Sequence, residues 1–299
     1  MIRILVTGRD SFIGKNFRRF SKYKDIKEIS VWNSNGKDID FHNYDVVLHL
    51  AAIVHEDNKI PENEYYRVNR DLPLNIANQA KEAGIKHFIF MSTIKVYGRF
   101  VQGSEPWKED SPCFPDDPYG KSKYEAEIGL GKIAGPDFKV SIIRTPVVYG
   151  PYVKANILRL IRLIEKFPLL PFAGVNNNRH FTYVENLTGI VDRIIETGIS
   201  GTFLAMDDKG ISTTLLVKNL SDYLHRKILL FKLPEMFVKA GYLAFPKSFE
   251  RLFGSFFIDN SKTREILNFS PVFSCEEGLK KMISYYQDQK TGQNNRINI

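Results

Sequence analysis

Residues 2–14 read Ile2-Arg3-Ile4-Leu5-Val6-Thr7-Gly8-Arg9-Asp10-Ser11-Phe12-Ile13-Gly14. The run from Ile2 to Val6 is short and apolar, as expected of a strand buried on both faces. It enters a glycine turn directly, and residues 14–23 then have the character of a helix. Strand, glycine turn and helix in that order give the glycines a meaning they lack alone. Such a turn gathers backbone N–H groups at a helix N-terminus, which suits a pyrophosphate. Gly8 permits the tight turn, and Gly14 lets the helix pack closely on the sheet.

Further out, buried strands and helices continue to alternate. Residues 28–32, 45–52, 87–92 and 139–144 read as strands. Residues 61–83 read as a helix, with Tyr65, Val68, Leu72, Ile76 and Ala80 on one stripe and Gly84 stopping it. The second and third strands lie too close in sequence for a full crossover helix. Beyond residue 150 the alternation weakens. Helices are predicted over 156–167 and 185–197, a short strand over 201–206, short helices within 212–246, and a closing helix over 278–286. The polar run 287–299 is expected to be a disordered tail. The predicted fold is α/β: a doubly wound parallel sheet of the Rossmann kind, with a smaller, mostly helical C-terminal region.

Chemistry concentrates at residues 119–123, Tyr119-Gly120-Lys121-Ser122-Lys123, which open a predicted helix. The i, i+4 spacing puts Tyr119 and Lys123 on one face. A phenol ordinarily ionises near pH ~10, and an adjacent cation favours the phenolate. The pair therefore reads as a proton-transfer device or as an ordinary surface pair. Ser92-Thr93 closes a strand, where hydroxyls face the ligand crevice of a parallel sheet or simply cap the turn. After the second strand stand Asn33-Ser34-Asn35, with no acid for adenosine ribose hydroxyls. That absence, with Arg9 in the glycine turn, leans towards a 2′-phosphate and hence NADP.

The 299-residue chain carries a formal charge of +8 from dispersed Lys and Arg. No basic helix, finger or arginine-rich arm argues for nucleic acid. The basic balance suits anionic small molecules. Cys113 and Cys275 have neither paired nor metal-ligand spacing, so no metal is expected and the compartment reads as reducing and cytoplasmic. The N-terminus does not read as a signal peptide, and no run reaches the ~18 apolar residues of a membrane span. The apolar segments 228–231 and 236–245 read first as a packed sub-domain. With Lys227, Lys232, Lys239 and Lys247 nearby, they suit contact with a bilayer surface as a secondary reading.

Taken in order, the pieces resemble the extended short-chain dehydrogenase/reductase family, also called the NAD-dependent epimerase/dehydratase family. They are Thr7-Gly8…Phe12-Ile13-Gly14; residues 45–52, Asp-Val-Val-Leu-His-Leu-Ala-Ala; Val68-Asn69; Ser92-Thr93…Val96-Tyr97-Gly98; and Tyr119…Lys123. Val148-Tyr149-Gly150-Pro151, residues 179–184 and Phe257-Ile258-Asp259…Ser261-Lys262 complete the set. The resemblance spans about residues 1–286. It implies NAD or NADP bound by residues 1–150 and about 179–208, and a nucleotide-diphosphate sugar held by 151–178 and 209–286. It makes Tyr119 the acid/base, Lys123 the residue that lowers its pKa and holds the nicotinamide ribose, and Thr93 the hydroxyl at the reacting carbon. It assigns the cofactor to Gly8, Arg9, Ser11, Phe12, Ile13, Gly14, Asp38, Ile39, Leu50, Ala51, Ala52 and Pro146, besides Tyr119 and Lys123. Arg179 matches a diphosphate-holding arginine, and Asn156 a substrate-side asparagine. A homodimer through a bundle that includes the Tyr119 helix is also implied. Ser11 departs from the family, which has glycine there.

Relatives that dehydrate place Asp-Glu after the catalytic threonine, and those that epimerise at C3 and C5 need a cysteine two residues after it. Ile94 and Lys95 occupy those places, which argues against both reactions. Hydride chemistry at C4 remains. Reduction of a 4-keto sugar nucleotide for surface-polysaccharide synthesis is narrowly preferred over 4-epimerisation with retained NAD. A non-catalytic NAD(P)-binding scaffold ranks below both, because all three catalytic positions hold competent residues.

Overall fold

The computed structural model describes residues 1–32, 39–54, 60–99 and 105–297. From β1 (Ile4–Thr7) the chain passes through the glycine turn into α1 (Phe12–Phe20). It returns as β2 (Ile26–Ile29), parallel to β1 with Ile4 opposite Ile26. It then crosses to the other side of β1, where β3 (Val46–His49) sets His49 opposite Thr7. This reversal opens a crevice at the carboxyl ends of β1 and β3, where open α/β sheets bind ligands.

α2 (Glu62–Tyr66), a π-helical turn (Arg67–Asp71) and α3 (Leu72–Glu82) form one helical run into β4 (His87–Thr93). α4 (Pro118–Ile133) carries the chain to β5 (Lys139–Thr145). There follow β6 (Val147–Tyr149), α5 (Ala155–Lys166), β7 (Leu169–Leu170) and β8 (Phe181–Tyr183). α6 (Val184–Thr197) then returns the chain to the sheet as β9 (Gly201–Leu204). The main sheet is parallel throughout, in the order β2-β1-β3-β4-β5-β9.

Alternate strand residues point to opposite faces. Leu5, Val47, Phe88, Phe90 and Val140 meet Ile76 and Ala80 of α3 and Ala126 and Leu130 of α4 on one face. Ile4, Val6, Leu48, Ile89 and Ile143 meet Phe17 of α1 and Leu187, Ile190 and Ile194 of α6 on the other. Both faces are covered, which is why these strands read as continuous apolar runs.

The rest of the chain is α7 (Thr213–Tyr223), β10 (Leu229–Leu230), α8 (Glu235–Ala244), α9 (Pro246–Phe253), α10 (Ser261–Leu267) and α11 (Cys275–Ile297). A separate core joins Ile157, Ile161 and Ile164 of α5, Val217 and Leu220 of α7, and Leu279, Met282 and Ile283 of α11. Two small parallel ribbons, β6–β8 and β7–β10, were not anticipated. Residues 229–230 are thus strand where short helices were expected. α11 continues well beyond residue 286 and into the predicted tail. The polar run finds partners there: Tyr286 Oη donates to Glu165 Oε2 at 3.0 Å, and Lys290 Nζ lies 2.8 Å from Glu165 Oε1.

Candidate active site

The glycine turn packs directly on the segment that follows β3. Gly8 has φ 108°, and a Cβ there would lie 2.9 Å from the Ala51 backbone nitrogen. Glycine is therefore required for both conformation and space. Leu50 N–H donates to the Thr7 carbonyl at 2.9 Å, closing the seam between the two strand ends. α1 starts at Phe12, earlier than predicted, because Ser11 is its N-cap and accepts the Gly14 N–H at 3.0 Å. The hydroxyl that replaces the family's glycine thus has a structural role. Phe12 and Ile13, in the first turn, present N–H groups with no intrahelical acceptor. These amides, the Gly8 cradle and buried Ala51 fit the pyrophosphate of a dinucleotide. Leu50 and Ala52 are half-buried beside them, Pro146 is buried between β5 and β6, and Ile39 packs on the core near Val31 and Phe41. Asp38 lies outside the described residues.

One residue here was not foreseen. Glu28, inside β2, has a side chain only 9% exposed, and its Oε2 accepts the Asp10 N–H at 3.2 Å. Arg9 donates from Nε to the Glu28 carbonyl at 3.4 Å. The acid sought after β2 is thus matched by one within it, turned towards the glycine loop. Its place in the strand hid it, because it interrupts an apolar pattern without forming a motif.

Thr93 ends β4 and caps the 3₁₀ turn Ile94–Tyr97, accepting the Lys95 N–H at 3.3 Å. Tyr119 stands in the first turn of α4, where the Thr93 side chain favours its phenolate. Asp117 caps α4: its Oδ1 accepts the Gly120 N–H at 2.7 Å. Its Oδ2 lies 2.6 Å from Lys95 Nζ, and that ammonium sits 5.8 Å from the Tyr119 ring centroid. At Gly120 a Cβ would lie 2.8 Å from the Lys95 carbonyl oxygen, so glycine allows α4 to approach the turn that closely. Burial pushes the Tyr119 phenol well above its ordinary pKa; the Thr93 side chain pulls it down, and the Asp117 charge pushes it up.

Lys123, one helical turn further, is 1% exposed. Its Nζ donates to the Met91 carbonyl at 2.8 Å and lies 4.3 Å from the Phe90 ring centroid. Burial lowers its pKa to about 7, with the Glu127 carboxylate opposing that shift. His49 completes the link to the glycine turn: its Nδ1 is 2.7 Å from Thr7 Oγ1. Burial and the Lys123 charge lower the pKa of His49 to about 3, so its ring is neutral.

Beneath these groups lies a buried polar network. Ser92 donates to Glu127, Arg144 Nη2 lies 2.7 Å from Glu127 Oε2, and Arg144 Nη1 donates to Tyr97 Oη at 2.8 Å. Asn69, in the π-helical turn, brackets Ile53: its Oδ1 accepts the Ile53 N–H at 2.8 Å and its Nδ2 donates to the Ile53 carbonyl at 3.0 Å. It thereby fixes the segment leaving β3 against α4, where Ser122 Oγ lies 3.3 Å away.

Arg179, the arginine matched to the sugar diphosphate, stands just before β8. Its backbone bridges to Ile211 and Phe256, and its guanidinium lies 5.1 Å from the Phe256 ring centroid. Phe256 in turn packs against the core cluster that contains Ile94, Tyr97, Met206 and Ile258. Arg179 is buried, and its Nε has no partner among the described residues. Burial lowers its pKa to about 10. Asn156 stands exposed on the first turn of α5. Among the described residues no cluster of side chains could hold a metal ion.

Residues 4–203 match the NAD dependent epimerase/dehydratase family. The chain belongs to that family. It is 33% identical over 306 residues to a UDP-glucose 4-epimerase of Vibrio cholerae, covering 93% of each chain. Its fold is similar to a dTDP-4-dehydrorhamnose reductase of Clostridium acetobutylicum, with TM-score 0.80, 20% identity and coverage of 96% of this chain and 100% of that one. It is also similar to a UDP-glucuronic acid 4-epimerase of Bacillus cereus solved with NAD, with TM-score 0.75, 20% identity and coverage of 97% and 98%. Family membership accounts for the order of the motifs along the chain. It does not select among the family's reactions, because epimerases and a reductase share this fold.

Proposed function

We propose that this protein interconverts the C4 alcohol and C4 ketone of a nucleotide-diphosphate sugar, and that its net reaction is 4-epimerisation. The observations that carry the reading are Thr93 at the carboxyl end of β4 with Tyr119 and Lys123 on the first turns of α4, beside the crevice at the glycine turn, and a buried Arg179 whose Nε has no partner among the described residues. When bound at that turn, the nicotinamide cofactor supplies a hydride acceptor and donor and, oxidised, a positive ring. Thr93 hydrogen-bonds the C4 oxygen. Tyr119, as phenolate, takes the O4 proton while C4 is oxidised and returns it when C4 is reduced. Lys123 holds a cofactor ribose hydroxyl. Arg179 uses its unpartnered Nε–H on the sugar diphosphate, a charge-assisted contact suited to phosphate.

Two observations favour 4-epimerisation over one-way 4-keto reduction. The 33% identical relative is a 4-epimerase. Glu28 places a carboxylate at the glycine loop, which opposes a 2′-phosphate and favours NAD over NADP. The short link between β2 and β3 supports reduction as the second reading. Buried Ile94, and Lys95 held by Asp117, support exclusion of 4,6-dehydration, because neither suits the proton transfers at C5 and C6.

The deciding experiment denatures freshly purified protein, identifies any released nucleotide, and then incubates intact protein with UDP-glucose or UDP-N-acetylglucosamine. Stoichiometric NAD and a C4 epimer in the product support epimerisation. Protein that arrives empty and oxidises NADPH only with a 4-keto sugar nucleotide moves the assignment to reduction. No turnover in either assay overturns both.

A further inference from the structure

We propose that α8 and the β7–β10 ribbon form a docking surface for a bilayer containing anionic phospholipid. α8 lies on the C-terminal region by a narrow inner face: Gly241 is buried, and Val238 and Tyr242 are half-buried. That face packs on α9 through Phe249, which leaves no room for a Cβ at Gly241 and stands 5.8 Å from the Tyr242 ring centroid. The outer face is apolar and exposed. Met236, Ala240, Leu243 and Ala244 follow the i, i+4, i+7, i+8 spacing of one helix stripe, with Met236 70% and Leu243 88% exposed. Phe237 and Phe245 extend it.

The ribbon continues this surface. Leu169 and Leu229 are paired across it and both point outward, while Leu170 is buried beneath. Leu229 is 73% exposed, and Phe231, two residues on, shares its face. Ribbon and helix flank the same Ala173–Gly174 corner, where a cavity of about 280 Å³ is lined by Lys232, Leu233 and Val238. An apolar patch of this composition marks an interaction surface.

Charge selects the occupant. Residues 227–245 hold Lys227, Lys232 and Lys239 against a single acid, Glu235. Glu235 is paired with Lys239 at 3.1 Å, which leaves excess positive charge beside exposed leucine, methionine and phenylalanine. That combination matches the interfacial region of an anionic bilayer, where apolar side chains enter the acyl boundary and lysines meet phosphate. No helix of the described residues is long and apolar enough to cross a membrane, so the contact is peripheral.

The test is vesicle flotation of the full chain with phosphatidylcholine alone and with phosphatidylglycerol added. Wild-type protein is expected to float only with phosphatidylglycerol vesicles, and less at high salt. The paired substitutions Met236→Glu and Leu243→Glu are expected to reduce flotation about tenfold, with thermal stability and turnover of a soluble sugar nucleotide unchanged. Lys232→Glu is expected to weaken it more mildly. Wild-type protein that stays unbound with anionic vesicles overturns the proposal. So does flotation that survives the paired substitutions. Loss of wild-type self-association in the paired variant during sedimentation, without any vesicle binding, reassigns the face to a second copy of this chain. Because flotation needs no turnover, its outcome is separate from that of the epimerase reading.

Discussion

α4 and α8 depart from the usual placement of charge and apolar carbon in opposite directions. α4 puts Lys123 in the interior at 1% exposure, whereas α8 leaves Leu243 88% exposed. The buried lysine has compensation: the Met91 carbonyl, the Phe90 ring and the Glu127 carboxylate all act on it. The exposed leucine is left uncovered by the described residues. A cation held inside by protein groups is positioned for a reaction at a fixed point. Apolar carbon held outside is positioned for something larger than a small ligand. The two helices thus mark different kinds of unfinished surface, and substitutions can show whether each reading is correct.

The largest effect is expected at Tyr119. Tyr119→Phe keeps the ring and removes the proton-carrying hydroxyl, so turnover should fall by roughly 10²–10⁴-fold. Cofactor affinity, measured by fluorescence titration, should change little. Near-normal turnover would break the assignment of α4 as the reactive helix. Arg179→Ala should come next, raising KM for the sugar nucleotide by on the order of 10–100-fold with a smaller change in kcat. Arg179→Lys should recover part of that loss. An unchanged KM would remove Arg179 from the substrate site.

Lys123 sharpens the comparison through stability. Its folded-state pKa, about 7, lies below the ordinary lysine value because burial disfavours the charge. Below pH 7 the folded protein carries the full cost of burying a cation. Between pH 7 and the ordinary lysine value the unfolded chain binds more protons, so this group makes stability rise with pH. Lys123→Met should therefore stabilise the ligand-free protein by on the order of a few kcal/mol at neutral pH and below. The gain should shrink as pH approaches the ordinary lysine value. Denaturant melts at pH 6 and 9 compare the two regimes, and a pH-independent gain would mean that Lys123 is not held as a buried cation.

The contrast between regions also explains what the sequence could reveal. The sheet was legible because each strand is covered on both faces and reads as an apolar run, as in residues 87–92. Tyr119, Lys123 and the glycine turn were legible because local spacing defines them. The β6–β8 and β7–β10 ribbons were not, because two- or three-residue strands form only when distant segments meet, as Leu169 meets Leu229. Glu28 escaped notice because its partner, the Asp10 amide, lies 18 positions away. The continuation of α11 depends on Glu165 of α5, which no periodicity in the last residues could signal. The apolar segments of α8 were visible, but their exposure was not: composition alone cannot say which face a helix turns inward.

The smallest expected effect concerns Lys95, whose functional value depends on a residue that also caps a helix. Tyr119 is influenced by Thr93 from β4 and Asp117 from the start of α4, and Lys95 from the intervening turn lies over its ring. Asp117 raises the phenol pKa, and Lys95 sits 2.6 Å from that carboxylate. Removing the cation by Lys95→Met leaves the carboxylate uncompensated. The rise of kcat/KM with pH in the oxidative direction should then move upward by about half a unit to one unit. Asparagine caps helices about as well as aspartate. Adding Asp117→Asn should therefore keep α4 in place while removing the uncompensated charge, and the profile should return towards wild type. A purely structural role for the pair would instead lower kcat equally at every pH, and the double variant would be no better than Lys95→Met alone.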